Sequence, residues 1–345
     1  MNNVISVYAA YAKDKTLRMN SSSGAMFSLL AENIIRNGGV VYGVAMSSDC
    51  YGAEYVRVTS VSKLESIRGS KYLQAKLGST YKNVERDLKN GLTVLFTGTG
   101  CYVNGLTSFL NKRYDNLFCV DIICHGTPSP KLWKKYVEYR EAQNKSKMIY
   151  ASFRNKERHN WDGFEMKEID KAHKTIYISR HIDPFFSFFV SNICLRPSCY
   201  ECVAKKYKTS DITIADFWGI DNVAPEMNDN LGVSLVIVRT QKGQHLFNLI
   251  NDKLIKKSVT YEEGVRENKS EYQSYPKPQG RDEFFIDMNN MSFEKLAKKY
   301  NYIPFWKKLG RKIKLIVWGG VNRQSQSYED YGMLLWFSNE RKVGK

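Results

Sequence analysis

Three cysteines carry the strongest chemical signal in the chain, in the spacing Cys194-x4-Cys199-x2-Cys202. The two-residue gap lets the thiolates of Cys199 and Cys202 converge on one metal or cluster, and Cys194 can reach the same centre around a loop containing Pro197. Soft thiolates select zinc or iron–sulfur clusters, and C-x4-C-x2-C is a recurring cluster spacing. A fourth ligand must come from another segment, and Cys101 and Cys124 are placed for it. Zinc is the alternative, although structural zinc is usually held by two tight ligand pairs and only one is present here. Buried cysteines without a ligand are the third reading.

Other segments could hold a ligand. Thr97-Gly98-Thr99-Gly100 follows an apolar run and precedes a helical pattern, so its free amides could hold an anion. It lacks the third glycine of a dinucleotide fingerprint. Ser21-Ser22-Ser23-Gly24 also precedes a helical pattern, where a phosphate would find hydroxyls and amides; an ordinary N-cap explains the same serines. Arg68-Gly69-Ser70-Lys71-Tyr72 suits an acidic or phosphorylated ligand, or is a solvated turn. His125, between Cys124 and Gly126, is a candidate proton donor near a redox centre, or a loop histidine with a backbone partner. Asp216-Phe217-Trp218-Gly219 ends a strand, and either packs beside a cofactor or forms a plain turn.

The elements that must position these residues follow from hydrophobic periodicity. Residues 4–11 read as a strand, 25–37 as an amphipathic helix closed by Gly38-Gly39, 40–46 and 55–58 as strands, and 84–90 as part of a helix. The buried-type run 92–96 enters the glycine turn at 97–101 and a helix follows. A second apolar run, 117–123, ends in Cys124-His125-Gly126 before the helix 131–143. Two successive strand–loop–helix units predict a parallel α/β arrangement, with ligands beyond the carboxyl ends of its strands. Cys101 and Cys124 fall at such ends. Strands with loops are expected over 147–181, an aromatic helix over 185–191, strands over 212–219 and 232–239, and a helix over 241–253.

The expected fold class is therefore α/β. A smaller N-terminal α/β part, residues 1–90, joins a larger α/β domain, residues 91–260, that carries the cysteine-rich loop. Residues 261–345 read as a linker over 261–281 and a basic helical tail. In that tail, residues 293–317 set Phe293, Leu296, Tyr300, Leu309, Ile313 and Ile316 against many lysines. Such a helix either packs on the body with a solvated lysine face or makes a peripheral membrane contact with anionic headgroups.

The chain carries a formal charge of +17, but its basic residues are spread out and no nucleic-acid-binding signature accompanies them, so no nucleic-acid partner is expected. With 22 Tyr, 17 Phe and 6 Trp the composition suits a packed enzyme better than a disordered binder. The start Met1-Asn2-Asn3-Val4 lacks the pattern of a signal peptide, and no apolar run is long enough to span a bilayer. The expected location is the cytosol, where seven cysteines point to metal, redox chemistry or inert burial rather than to structural disulfides.

Six segments in order resemble the coenzyme F420 hydrogenase/dehydrogenase beta-subunit family, across residues 5–255. They are Ser22-Ser23-Gly24, Gly69-Ser70-Lys71-Tyr72-Leu73-Gln74, Leu95-Phe96-Thr97-Gly98-Thr99, Asp121-Ile122-Ile123-Cys124-His125-Gly126, the cysteine run 194–202, and the run 210–219 ending in Asp216-Phe217-Trp218-Gly219. The resemblance implies a flavin, normally FAD, and a [4Fe–4S] cluster. It implies an oxidoreductase that passes electrons between a flavin or the deazaflavin coenzyme F420 and an acceptor, by way of a redox partner protein or a small-molecule electron carrier. Many members of the family lie in polysaccharide-biosynthesis settings.

On this reading the cluster takes four of Cys101, Cys124, Cys194, Cys199 and Cys202, and His125 serves catalysis. The cofactor would contact Ser22, Ser23, Gly24, Ser70, Lys71, Tyr72, Gln74, Thr97, Gly98, Thr99, Gly126, Asp216 and Trp218. Three features depart from the family pattern. No cysteine precedes Cys50, so an N-terminal ferredoxin-type module is not expected; Gly100 stands where a Pro is usual; and Ala75 follows Gln74 where relatives often place a serine. Two rival functions are a zinc-stabilised scaffold of a surface-polysaccharide assembly and a transferase holding sugar-nucleotide phosphates in the glycine loops.

Overall fold

The computed structural model describes residues 4–300 of the 345. Its strands are β1 (Ser6–Ala12), β2 (Val40–Met46), β3 (Ala53–Val58), β4 (Ala75–Lys76), β5 (Val94–Thr99), β6 (Leu117–Ile122), β7 (Met148–Asn155), β8 (Glu165–Asp170), β9 (Thr175–Ser179), β10 (Ile212–Asp216), β11 (Ser234–Val238) and β12 (Leu254–Ser258). The helices are α1 (Lys15–Met19), α2 (Met26–Arg36), α3 (Thr80–Lys89), α4 (Gly100–Leu110), α5 (Pro130–Asn144), α6 (Pro184–Val190), α7 (Val203–Lys206), α8 (Ile220–Val223), α9 (Gln241–Asn248), α10 (Tyr261–Val265), α11 (Arg281–Asn290) and α12 (Phe293–Tyr300). The α/β class read from the sequence is the observed one.

Nine strands form one sheet in the order β12-β1-β11-β10-β6-β5-β2-β3-β4. Its centre, β10-β6-β5-β2, is parallel. These strands are covered on both faces, which is why β5 and β6 read as continuous apolar runs rather than alternating ones. Leu95 and Val120 face α2 and α9, whereas Val94, Phe96 and Cys119 face α3 and α4. Strands from before residue 90 and from after residue 91 share this sheet, and β1 lies between β11 and β12. The parallel strands all end at one edge, at Met46, Thr99, Ile122 and Asp216.

A second, antiparallel sheet of β7, β8 and β9 follows α5 and precedes α6. Aromatic packing seats it: Trp133 of α5 lies 4.8 Å from Phe153 of β7 and 5.0 Å from Phe185 of α6 between ring centroids.

Two local expectations change. Thr97-Gly98-Thr99 is not a turn but the end of β5, paired through Thr99 with Ile122 of β6. A side chain on Gly98 would collide with Tyr55 Oη, so the glycine there serves close packing. Residues 261–281 are not a spacer. They hold α10 and a 3-10 turn, Glu271 is 1% exposed, and the whole stretch belongs to the compact unit that ends at Arg281. Polar composition and two prolines suggested a linker, but Asn268, Glu271 and Arg281 are buried and held by ion pairs or backbone hydrogen bonds.

A second unit begins at Asp282. Within it, Lys299 Nζ pairs with Glu283 Oε1 at 2.7 Å and with Asp287 Oδ2 at 2.6 Å. Of the basic segment 293–317, the part from residue 301 lies outside the described residues. No described helix is long and apolar enough to cross a membrane.

Candidate functional site

The carboxyl edge of the parallel strands collects four thiols. Cys101 lies in the first turn of α4, exposed, with its Sγ 3.1 Å from Thr99 Oγ1. Cys124 follows β6 by two residues. The cysteine-rich segment is pinned to the loop beyond Cys124 by three backbone links. Ser129 N donates to Cys194 O at 3.1 Å, Arg196 N donates to Thr127 O at 2.9 Å, and Pro128 bridges Leu195. Gly126 permits that approach, because a side chain there would lie 2.5 Å from Leu195 Cδ1.

Electrostatics show which thiols are neighbours. Burial pushes Cys124 up to about 12, and the charges of Cys101, Cys199 and Cys202 add to the rise while Lys205 opposes it. Cys199 is raised by burial and by Cys202 and Cys101, against a backbone hydrogen bond at Thr127 and the charge of Arg196. Cys101, Cys124, Cys199 and Cys202 therefore form one group. Cys194 is fully buried; burial raises its thiol and the charge of Arg281 opposes the rise. Cys50 and Cys119 are core residues, also raised by burial. Among the described residues no three His, Cys, Asp or Glu side chains are drawn close enough to hold a single metal ion.

Such a donor set fits a multivalent iron centre. Each ionised sulfur raises the next, and a coordinating metal reverses that by deprotonating thiols outright. Lys205, 6% exposed, donates to Gln273 O at 2.8 Å, and Cys202 N donates to Ser274 Oγ at 3.0 Å. These partners come from the stretch expected to be a linker, and the sequence reading missed them.

His125 lies between Phe189 and Tyr275, at 4.8 and 4.3 Å between centroids. Burial and the charge of Lys205 lower its pKa to about 4, so the imidazole is neutral near pH 7. Its buried Nε2 makes no hydrogen bond among the described residues.

A second cluster of predicted residues meets at the same edge. Ser22 Oγ lies 2.9 Å from Ser70 Oγ and accepts from Ser70 N at 2.9 Å, joining two segments 48 residues apart. Ser23 Oγ donates to Val233 O at 2.8 Å and Gly24 N donates to Ser234 Oγ at 3.0 Å. The serines therefore do not cap α2, whose N-cap is Ala25 in the left-handed region with φ 69°. Lys71 Nζ donates to Arg68 O at 2.7 Å, and burial lowers its pKa to about 7. Gln74 is half-buried two residues beyond Tyr72. Thr97 Oγ1 donates to Tyr42 O at 3.1 Å.

Tyr72 packs against Phe189 at 4.7 Å, and Trp218 against Trp161 at 4.7 Å. Asp216 is ion-paired with Arg154 and accepts from Trp161 Nε1 at 3.3 Å. Arg154, from the end of β7, was not singled out from the sequence. It is 7% exposed, and its Nε and Nη2 make no hydrogen bond among the described residues. Buried unsatisfied donors of this kind cost about 1–3 kcal/mol each. The corner therefore sets buried N–H donors beside aromatic rings.

The chain is an α/β protein whose sheet edge gathers thiols beside a polar, aromatic-walled corner. Residues 91–262 match the family model for the C terminus of the coenzyme F420 hydrogenase/dehydrogenase beta subunit, and residues 7–82 match the model for its N-terminal part. The chain belongs to the coenzyme F420 hydrogenase/dehydrogenase beta-subunit family. Its fold is shared with a chain of the F420-reducing [NiFe] hydrogenase complex from Methanosarcina barkeri, at a TM-score of 0.54 and 15% identity, over 79% of this chain and 88% of that one. No curated protein sequence matches.

Proposed function

We propose that this chain is an iron–sulfur flavoprotein that passes electrons between a flavin or deazaflavin, FAD or coenzyme F420, and an acceptor reached through a redox partner. One observation carries the reading. Cys124 and Asp216 follow or end neighbouring strands at one edge of the large sheet, and tilted ring contacts run between the two sites: Tyr72 to Phe189 at 4.7 Å, then Phe189 to His125 at 4.8 Å, with Cys124 next in sequence. A flavin exchanges two electrons as hydride and releases them singly to a cluster.

The residues do the rest. Cys101, Cys124, Cys199 and Cys202 would hold the cluster, and Lys205 and Arg196 set positive charge beside it. Phe189, Tyr72 and Tyr275 exclude water between the two sites. Neutral His125 keeps a ring nitrogen available for one hydrogen bond at the boundary. Cys101 is exposed, which places one ligand where a partner can approach. The family resemblance adds a polysaccharide-biosynthesis setting to the proposal, the sequence pattern a cytosolic location, and the basic amphipathic tail a lipid contact.

The test is anaerobic purification with flavin, iron and sulfide assays on one sample, followed by addition of reduced coenzyme F420. Bleaching of flavin and cluster absorption supports the reading. A colourless protein holding about one zinc per chain contradicts it.

A further inference from the structure

We infer that Arg154 anchors an oxyanion-binding site, taking a phosphate or carboxylate of a bound ligand along the guanidinium edge formed by Nε and Nη2. A guanidinium has two faces and distinct N–H edges, and here they are used differently. Nη1 pairs with Asp216. One face lies 4.4 Å from the Phe164 ring centroid, with Trp161 and Trp218 at 5.7 and 5.9 Å. The Nε–Nη2 edge is buried and makes no hydrogen bond within normal distance among the described residues, although the Tyr72 side chain is a further neighbour of the guanidinium. Its two N–H groups point in parallel, which matches two oxygens of one phosphate or carboxylate.

Asp216 is the last residue of β10, so the edge stands at the carboxyl end of the parallel strands, where α/β sheets bind ligands. Asp216 pairs with Nη1 through one oxygen and accepts from Trp161 Nε1 through the other. Lys156, two residues on and 1% exposed, places a buried amine nearby, held by Arg18 O at 2.6 Å and Leu231 O at 2.7 Å. The aromatic walls lower the local dielectric and strengthen attraction for an anion.

The phosphate source rests on the flavin reading above; a substrate carboxylate does not. Tryptophan fluorescence titrations of the full-length protein would use riboflavin, FMN, FAD, pyrophosphate and succinate as probes. The comparison is between wild type, Arg154→Lys, and the neutral pair Arg154→Gln/Asp216→Asn, with iron content and far-ultraviolet circular dichroism as controls for folding. Expected is a loss of at least about tenfold in affinity for FMN and FAD in both variants, with riboflavin and iron content unchanged. A loss confined to succinate identifies the carboxylate source and equally supports the site. Arg154-dependent binding of pyrophosphate or succinate by a wild type that binds no flavin retains this site and retires the flavin reading. Equal affinity of wild type and variants for every probe, or no binding of any probe by wild type, overturns the inference.

Discussion

The backbone N–H of Cys202 donates to Ser274 Oγ at 3.0 Å, tying the last cysteine of the thiol group to a segment 72 residues further on. The same segment supplies Gln273 O to Lys205 and the Tyr275 ring to His125. The thiol group is thus walled on one side by chain that contributes no ligand. Ser274→Ala leaves that N–H without its partner, a loss of about 1 kcal/mol. The expected outcome is faster iron release to a chelator with an unchanged iron count at the start. Release at the wild-type rate would show that Ser274 does not hold the loop.

Beneath the site, Glu271 is 1% exposed and pairs with Lys208 at 2.9 Å and Arg239 at 2.5 Å. Asp121 Oδ2 lies 3.7 Å from the same lysine. Removing one partner of a buried charge network strands the others, which typically costs about 3–5 kcal/mol. Glu271→Gln should lower the urea midpoint accordingly, and a midpoint within error of wild type would show that water reaches these cations.

Stability should rise with pH above neutrality. Burial lowers Lys156 to about 7, and Lys71 is likewise lowered to about 7, from an ordinary 10.5. Between pH 7 and 10.5 the unfolded chain binds the protons that the folded chain lacks, so each group adds stability as pH rises, by at most about 1.4 kcal/mol per unit. Lys156→Met removes one of the two groups. Urea unfolding at pH 7 and pH 9 should show a smaller gain for the variant than for wild type; equal gains would mean that Lys156 keeps its proton in the folded chain.

The sequence made the central sheet legible because strands buried on both faces are continuous apolar runs, and β5 and β6 are such runs. The thiols were legible by type and spacing, but spacing alone could not separate Cys194 from the others. The loops are joined by Leu195 packing over Gly126, a contact between segments nearly 70 residues apart. The glycines at 98 and 100 looked like a turn, yet Gly98 is strand, and only the Tyr55 hydroxyl above it explains its missing side chain. Arg154 gave no local signal, since a lone arginine in a mixed strand is ordinarily solvated. Residues 261–281 were misread because a mostly exposed polar segment anchored by a few buried residues, among them Glu271, has the composition of a linker.

The central claim is that Cys101, Cys124, Cys199 and Cys202 hold one iron–sulfur centre and Cys194 does not. The most direct measurement is iron and sulfide per chain in anaerobically purified wild type, Cys124→Ser, Cys199→Ser and Cys194→Ser. The account predicts about four irons and four sulfides in wild type and in Cys194→Ser, and loss of the centre in the other two. Loss in Cys194→Ser with retention in Cys124→Ser would contradict it.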